Sequence, residues 1–426
     1  MINRPSPLAL LPLLLFFTLY LVVSIAIGDF YKMPITVAFI VASAVAIAQT
    51  QKEELFDRIK IFSKGASDHN IMLMVWIFIL AGAFAHSAKQ MGAVDATVNL
   101  AMQLLPSNML LVGVFIAACF ISFAVGTSVG TVVALVPIAT ALAPKIGIEV
   151  PYITAIIVGG AFFGDNLSFI SDTTIAATQS QGCSTSDKFK VNIRIILPAA
   201  VISALLYLFQ GSELNYSEIP EVVNIPLIIP YLCVIILALT GINVMLVLGI
   251  GTLLTGVIGV ITGTLPLWSY TQALGAGVAS MGELIIITML AGGLLELIRH
   301  NGGLQYLINI ITKHTTNKKI AEFSISALVG VANLCTANNT VAIITTGSIT
   351  RDIAKRFDID PRRTASILDT TSCFVQGVLP YGAQLLMAAQ LSGTLPTSMI
   401  PYLYYPMLVG LSIILAIAFR YPRKFA

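Results

Sequence analysis

Charge is what this sequence has least of. Asp, Glu, Lys and Arg make up 10% of its 426 residues, and 57% of the residues are apolar. An average soluble domain is about 25% charged. This composition excludes an ordinary soluble enzyme and a disordered chain. The net charge of +3 is too small to indicate nucleic-acid binding, so no nucleic-acid partner is expected.

Several chemical motifs are also missing. The five cysteines form no CxxC pair, which argues against a zinc site or a disulfide framework. The sequence contains no phosphate-binding P-loop, so ATP and other cofactors are not expected. It has neither a paired His-Glu-His nor a Ser-Lys constellation of the kind an intramembrane enzyme would need. The sequence therefore predicts a protein that is not an enzyme.

Long uncharged stretches are what the sequence does have. Residues 96–144, 222–282 and 370–419 contain no charged side chain, and about 20 apolar residues suffice to cross a bilayer. A shorter uncharged segment, 5–28, is interpreted as a retained first helix rather than a signal peptide. The predicted fold class is an all-α polytopic membrane protein.

The chain carries signs of an internal duplication. Ile79–Gly82 recurs as Met289–Gly292, and the Thr127-x-x-x-Thr131-Val132 pattern recurs from Thr336. The nearly constant spacing between such matches predicts two homologous membrane repeats, 1–212 and 213–426. Crossings are expected at 8–28, 33–49, 71–87, 151–178 and 193–209, and at 225–240, 242–262, 281–298, 363–391 and 400–420. Amphipathic segments are expected at 91–105 and 303–316.

Basic residues set the predicted topology, because cytoplasmic loops are enriched in Lys and Arg. The loops 299–319 and 351–363 are both basic, so the stretch 320–350 is predicted to be a re-entrant hairpin, as is its counterpart 108–143. Each half then has five crossings, and the halves have inverted orientations, a recurring transporter architecture. The loops 50–70 (basic), 210–224 and 263–280 (both without Lys or Arg) fit this arrangement. Both termini are predicted to be cytoplasmic, and the membrane to be the bacterial inner membrane.

Each half should also contain non-helical backbone at membrane depth, at the tip of its hairpin and at the break in its broken helix. Such backbone must be buried in protein or face a watery cavity, because lipid offers it no hydrogen bonds. Broken helices are predicted at 151–178 and 363–391, the first restarting at Thr173 after a cap by Ser171 or Asp172. Polar side chains at the breaks are candidate ligands, although they could merely cap the turns. The candidates at the tips are Thr127, Ser128, Thr131, Asn338, Asn339 and Thr340. Those in the broken helices are Asp165, Asn166, Ser168, Ser171, Asp172, Thr173, Asp369 and Gln376.

The intramembrane charges are all acidic. Asp165, Asp172 and Asp369 fall within predicted spans, and the topology places no Lys or Arg deep in any span. Unpaired acids at membrane depth indicate function, although a capping role or a buried hydrogen bond is the alternative. They imply a cationic companion, and oxygen ligands suit Na⁺ or H⁺. We predict that Asp165 and Asp172 bind Na⁺ as a transported ion, in competition with H⁺.

The runs GDNLSFISDTT (Gly164–Thr174) and FAVGTSVGTVVALVPIA (Phe123–Ala139) resemble the NhaC sodium/proton antiporter family. The tip Asn338-Asn339-Thr340 is similar to the Ser-Asn-Thr tips of sodium–dicarboxylate symporters in the same superfamily. The resemblance implies secondary transport by a homodimer, with Asp165, Ser168, Ser171, Asp172 and Thr173 at the ion site. Asn166 and Phe169 depart from the family pattern, which leaves the substrate open.

Two functions are compatible with these features of the sequence. The first is Na⁺/H⁺ antiport by alternating access, with the intramembrane aspartates as the exchanging groups. The alternative is Na⁺- or H⁺-coupled transport of an amino acid or a small organic acid. An anionic solute would need the positive ends of helices at the tips, since no basic residue is predicted there.

Overall fold

A computed structural model of the chain describes residues 5–19, 34–51, 53–212, 214, 224–240, 242–313 and 316–425. The longer regular elements of these residues are all α-helices. The predicted class, an all-α polytopic membrane protein, is confirmed. Residues 20–28 of the first predicted crossing and most of the junction between the two predicted halves lie outside the described residues.

The helices follow the chain in this order. Those before residue 213 are α1 (Leu11–Phe17), α2 (Ile35–Gln49), α3 (Leu55–Ala66), α4 (His69–Met91), α5 (Ala93–Leu104), α6 (Leu110–Val125), α7 (Ser128–Lys145), α8 (Val150–Leu167), α9 (Asp172–Gln181) and α10 (Thr185–Gly211). Those after it are α11 (Ile225–Leu239), α12 (Val244–Thr262), α13 (Leu267–Ser280), α14 (Gly282–His300), α15 (Gly303–Lys313), α16 (Lys318–Thr336), α17 (Asn339–Arg356), α18 (Pro361–Val378), α19 (Ala383–Ser392), α20 (Pro396–Met399) and α21 (Tyr404–Ala418).

Many of these helices could cross a membrane. Among the described residues, eight helical spans are long and apolar enough to do so, and two of them run through consecutive elements, α8–α9 and α13–α14. The segment Pro396–Ala418 adds a ninth if its 60° bend lies within one crossing. Two segments predicted as loops are partly helical, because 50–70 contains α3 and 263–280 contains α13. Those predictions were wrong, since the number of charged residues in a segment does not show whether it is a loop or a helix: α3 carries several charges and α13 carries none.

Both predicted hairpins contain the same backbone break. Between α6 and α7, Gly126 is left-handed at φ 74° and Thr127 is extended at φ −145°. Between α16 and α17, Ala337 is left-handed at φ 49° and Asn338 is extended at φ −145°. Thr127 and Asn338 then cap the next helix with their side chains, by accepting hydrogen bonds from the amides of Gly130 and Val341.

The two predicted broken helices are interrupted at corresponding points along their length. The first break separates α8 from α9 at residues 168–171, and the second separates α18 from α19 at residues 379–382. Ser171 caps α9, which begins at Asp172, one residue before the predicted start. Pro380 lies in the second break, where its missing N–H and fixed φ disfavour a continuous helix.

Two close helix crossings join corresponding positions of the two parts of the chain. α4 packs on α13 where Gly82 meets Gly277, and α3 packs on α14 where Gly65 meets Gly292. A Cβ built on Gly277 would lie 2.2 Å from the Gly82 carbonyl oxygen. Such contacts let two backbones approach closely in a membrane, where small residues dominate helix interfaces.

The breaks lie in a second group of packed helices. α8 packs on α6 and α7, and α18 packs on α16, α17 and α21. Arg363 holds part of this group together, because it forms a bidentate ion pair with Glu322 of α16 at 2.6 and 2.7 Å. Arg363 was predicted to lie in a basic loop, but it is 1% exposed, and it also donates to the Ala416 carbonyl of α21.

The glycine crossing gives a direct test of the packing. Gly277→Ala should lower the unfolding free energy by about 1–3 kcal/mol, because the new methyl group forces α4 and α13 apart. The control is Gly275→Ala on the same helix, where a Cβ has no neighbour within 4 Å. Detergent melting curves that are the same for both variants would contradict the crossing.

Candidate ion-binding site

Asp165 lies where both hairpin tips meet the first broken helix. Its side chain projects from the last turn of α8, and the residue is 5% exposed. The Ser128 amide donates to Oδ1 at 2.9 Å, and the Ser128 hydroxyl donates to Oδ2 at 2.5 Å. Asn339 Nδ2 lies 3.5 Å from Oδ2. The carboxylate is therefore held by the first residues of α7 and α17.

Two glutamine side chains continue this network into the other half. Gln384 Nε2 donates to Ser128 Oγ at 2.9 Å, and Gln376 Nε2 donates to Gln384 Oε1 at 2.9 Å. Gln376 also donates to the Ala337 carbonyl oxygen at 3.0 Å, which lies at the second tip. Because Gln384 already donates to Ser128 Oγ, the hydroxyl hydrogen of Ser128 is free to point at Asp165. Gln384 was not among the predicted site residues, because α19 is otherwise largely apolar.

Hydroxyl groups satisfy the backbone at the first break. The Asp165 carbonyl oxygen accepts hydrogen bonds from Ser171 Oγ at 2.8 Å and from Thr173 Oγ1 at 3.0 Å. Thr174 Oγ1 lies 3.4 Å from the same oxygen. The end of a helix leaves its last carbonyl groups without partners, so these hydroxyls stabilise the interrupted backbone next to the carboxylate.

A cavity of about 950 Å³ opens beside Asp165. Eight of the predicted site residues line it, namely Thr127, Ser128, Asp165, Asp172, Thr173, Asn338, Asn339 and Thr340. Asp172 is exposed to it at the start of α9. Farther along, the walls contain His69, Gln179, Ser180, Arg351, Asp352 and Lys355. The deep end of the cavity is thus acidic, and one of its walls is basic.

The remaining predicted residues do not line the cavity. Thr131 donates its hydroxyl hydrogen to the Thr127 carbonyl oxygen at 3.0 Å, within α7. The Ser168 hydroxyl accepts from the Ile170 amide inside the break. Asn166 is fully buried, and it contributes its backbone carbonyl oxygen to a separate cluster. Ser171 caps α9, and Gln376 acts through Gln384.

Asp369 has a basic partner, so the prediction that every intramembrane acid is unpaired was wrong. Lys188 Nζ forms an ion pair with Asp369 Oδ2, and both side chains are almost fully buried, at 1% and 0% exposure. Nζ also donates to the Asn166 carbonyl oxygen at 2.6 Å and to Thr174 Oγ1 at 2.7 Å. Asn192 Nδ2 donates to the same carbonyl oxygen at 2.8 Å.

The sequence does contain a signal for Lys188. The predicted helix 193–209 begins in the structure at Thr185, after an N-cap in which Ser184 Oγ accepts from the Asp187 amide and the Ser184 hydroxyl donates to Asp187 Oδ2. With this start, Lys188 falls on the same helical face as the buried residues Val191, Asn192, Ile195 and Ile196. The neighbouring Asp187 and Lys190 are exposed and pair with each other, which makes the segment look like a solvated loop.

The atoms that the site offers to a ligand are hard oxygens, and few of them carry charge. Carboxylate, hydroxyl and amide oxygens surround the deep end of the cavity, with one buried carboxylate. Among the described residues, no group of three His, Cys, Asp or Glu side chains is close enough to hold a metal ion. Such oxygen ligands suit small hard cations rather than soft metals.

Broken membrane helices around a buried carboxylate define a membrane transporter. A sequence model described as the Na⁺/H⁺ antiporter family matches residues 6–212 and 217–421. The chain belongs to the Na⁺/H⁺ antiporter family, and the predicted resemblance to NhaC-type proteins is confirmed.

Two antiporters and one solved transporter structure are among the proteins to which the chain is similar. The Na⁺/H⁺ antiporter NhaC of Bacillus subtilis is 24% identical over 79% of this chain and 80% of its own. The malate-2H⁺/Na⁺-lactate antiporter of the same organism is 22% identical over 82% of this chain and 81% of its own. The solved structure of the YdaH transporter of Alcanivorax borkumensis covers 86% of this chain and 88% of its own, with 14% identity and a TM-score of 0.43.

Substitutions of two hydroxyl residues on α7 test whether the site includes Ser128 but not Thr131. Ser128→Ala removes a donor to Asp165 and a candidate ligand oxygen, and a hydrogen bond to a charged group is worth about 1.5–3 kcal/mol. The Na⁺ concentration for half-maximal transport should therefore rise roughly tenfold or more. Thr131→Val should leave it unchanged, because the Thr131 hydroxyl bonds only within its helix. Equal effects of the two substitutions on Na⁺ dependence in proteoliposomes would argue against the site.

Proposed function

We propose that this protein exchanges Na⁺ for H⁺ across the membrane, and that Asp165 is the group to which the two ions bind in turn. The observation that carries the proposal is the position of Asp165. It is buried at the junction of both tips and the first break, and its hydrogen-bond partners, Ser128 and Asn339, are uncharged. A buried carboxylate at such a place is costly unless a cation or proton compensates it.

The surrounding oxygens support binding of Na⁺ in the same place. Ser128 Oγ lies 2.5 Å from Asp165 Oδ2, whereas Asn339 approaches the same oxygen with its Nδ2 donor at 3.5 Å and would have to turn its amide oxygen toward a bound cation. Thr127 and Asn338 line the cavity beside them. We propose that Asp165 and these groups form the Na⁺ site, and that Asp172 attracts cations from the cavity. When a proton occupies Asp165, the negative charge that attracts Na⁺ is lost, so the two ions exclude each other.

We also propose that the chain consists of two inverted repeats, 1–212 and 213–426. The matching breaks at Gly126–Thr127 and Ala337–Asn338 support this division. The family model also matches the chain in two segments of similar length. Rocking of two related halves around a central site would give alternating access. In this proposal the cavity opens toward the side of Arg351 and Lys355, which is cytoplasmic because cytoplasmic loops are enriched in basic residues. The protein would act as a homodimer in the bacterial inner membrane.

The central test replaces the carboxylate. Asp165→Asn should abolish proton movement driven by a Na⁺ jump, because an amide neither carries the proton nor neutralises Na⁺. The measurement uses proteoliposomes with an internal pH dye and no organic solute. Asp95→Asn, an exposed substitution on α5, should retain activity. Full activity of Asp165→Asn would remove this residue from the exchange mechanism.

A second candidate is coupled transport of a small organic acid. The cavity is far larger than a bare ion needs, and its volume lies within the roughly 300–1,000 Å³ of small-molecule sites. Arg351 lines its wall, and among the described residues its Nε is buried without a hydrogen-bond partner. Lys355 lies one turn farther along α17. Such a wall could bind a carboxylate while Asp165 binds the coupling cation.

The two functions make different predictions for the same vesicles. Na⁺/H⁺ antiport predicts a pH change on a Na⁺ jump alone. Coupled transport predicts a response only after a mono- or dicarboxylate is added, and Arg351→Gln should raise the half-saturating carboxylate concentration about tenfold, the loss of one charge-assisted bond. A pH response that is independent of added carboxylate and unchanged in Arg351→Gln would eliminate the second candidate.

A further inference from the structure

Lys188 occupies a position that resembles a cation site. Its ammonium group contacts the Asn166 carbonyl oxygen, the Thr174 hydroxyl oxygen and a carboxylate oxygen of Asp369. An ammonium group has three N–H donors, and each finds one acceptor here. The side chain is 1% exposed, so water does not compete for these oxygens.

The three acceptors are the ligand types that proteins use for hard cations. Carboxylate, backbone carbonyl and hydroxyl oxygens bind such ions without any need for thiolate or imidazole. The Asn166 carbonyl group is freed by the end of α8, and cations are favoured at the C-terminal end of a helix. The chain has thus assembled oxygen ligands at the break and filled them with a side chain of its own.

This cluster adjoins the Asp165 site but is distinct from it. Thr174 Oγ1 accepts from Lys188 Nζ and lies 3.4 Å from the Asp165 carbonyl oxygen. Lys188, Asn166 and Asp369 do not line the cavity that reaches Asp165. The two clusters therefore use the two successive free carbonyl groups of the same helix end.

We propose that Lys188 is a tethered cation, whose ammonium group permanently fills a second cation site made by Asn166, Thr174 and Asp369. Only the Asp165 site is then open to exchange. The inference goes beyond the proposed Na⁺/H⁺ exchange, because it concerns a different site and holds whatever the cargo at Asp165 is. It implies that removal of the side chain creates a vacancy that a small free cation can enter.

The test removes the ammonium group of Lys188 and supplies small cations in solution. Lys188→Ala should melt at a lower temperature than wild type in choline chloride, because Asp369 is left buried without its partner. Methylammonium or Na⁺ should restore stability in a saturable way, and occupancy at about a hundred times the dissociation constant should raise Tm by roughly 5 °C. Choline is too large to enter the vacancy.

Matched variants isolate the effect. Lys190→Ala, at an exposed residue of the same helix, should show no cation-dependent gain beyond that of wild type. The double variant Lys188→Ala with Asp369→Ala removes the anionic ligand and should lose the rescue. The rescue should persist when Asp165→Asn is added, so failure of the Asp165 site and failure of the Lys188 site give different results.

Two results would overturn the proposal. In the first, Lys188→Ala responds to methylammonium and Na⁺ no more than Lys190→Ala does. In the second, Lys188→Ala cannot be recovered folded in either cation, although the double variant with Asp369→Ala can. That result would mean that the oxygens do not accept a free cation once the tether is gone.

Discussion

An interrupted helix in a membrane must find hydrogen-bond partners for the carbonyl groups that it frees, because lipid offers none. In this protein the end of α8 meets that requirement with side chains. Ser171 and Thr173 donate to the Asp165 carbonyl oxygen, and Lys188 and Asn192 donate to the Asn166 carbonyl oxygen. The rest of the site depends on this solution, because it fixes the last turn of α8 and with it the Asp165 carboxylate. The break is a stabilised feature of the backbone rather than a flexible point.

The two parts of the chain share a framework but differ in their chemistry. Corresponding breaks follow Val125 and Thr336, and corresponding glycines form the two close crossings between α3, α4, α13 and α14. At the broken helices the framework carries different groups. The first half provides a carboxylate at Asp165, whereas the second provides an amide at Gln376. Because an amide has no charge, the second half can orient Ser128 through Gln384 without a second ionisable group at the centre. The two broken helices thus carry a carboxylate in one case and an uncharged amide in the other.

Much of the architecture could be predicted because membrane insertion imposes strict local rules. Length, hydropathy and the spacing of polar interruptions predicted the helices and the breaks near Thr127, Asn338 and Ser171. They also predicted most of the residues that line the deep end of the cavity. Packing decided the rest. Lys188 and Arg363 lie at the ends of helices in polar runs that look solvated, yet both are buried by ion pairs with distant residues. Lys188 and Asp369 are 181 positions apart in sequence, so a local pattern can indicate that Lys188 is buried but not which acid it pairs with.

By itself, the sequence determined that the chain is helical, that it lies in a membrane, and that its helices break at polar segments next to Asp165. These properties follow from composition and spacing, because whether a segment partitions into lipid or water depends on its own residues. Only the tertiary structure decided that Asp369, and not Asp165, pairs with a basic side chain among the described residues. Asp165 faces hydroxyl and amide groups, whereas Asp369 is neutralised by Lys188. The physical reason is that the electrostatic environment of a buried charge is set by side chains brought within a few ångströms by packing, and their proximity is independent of their order in the chain.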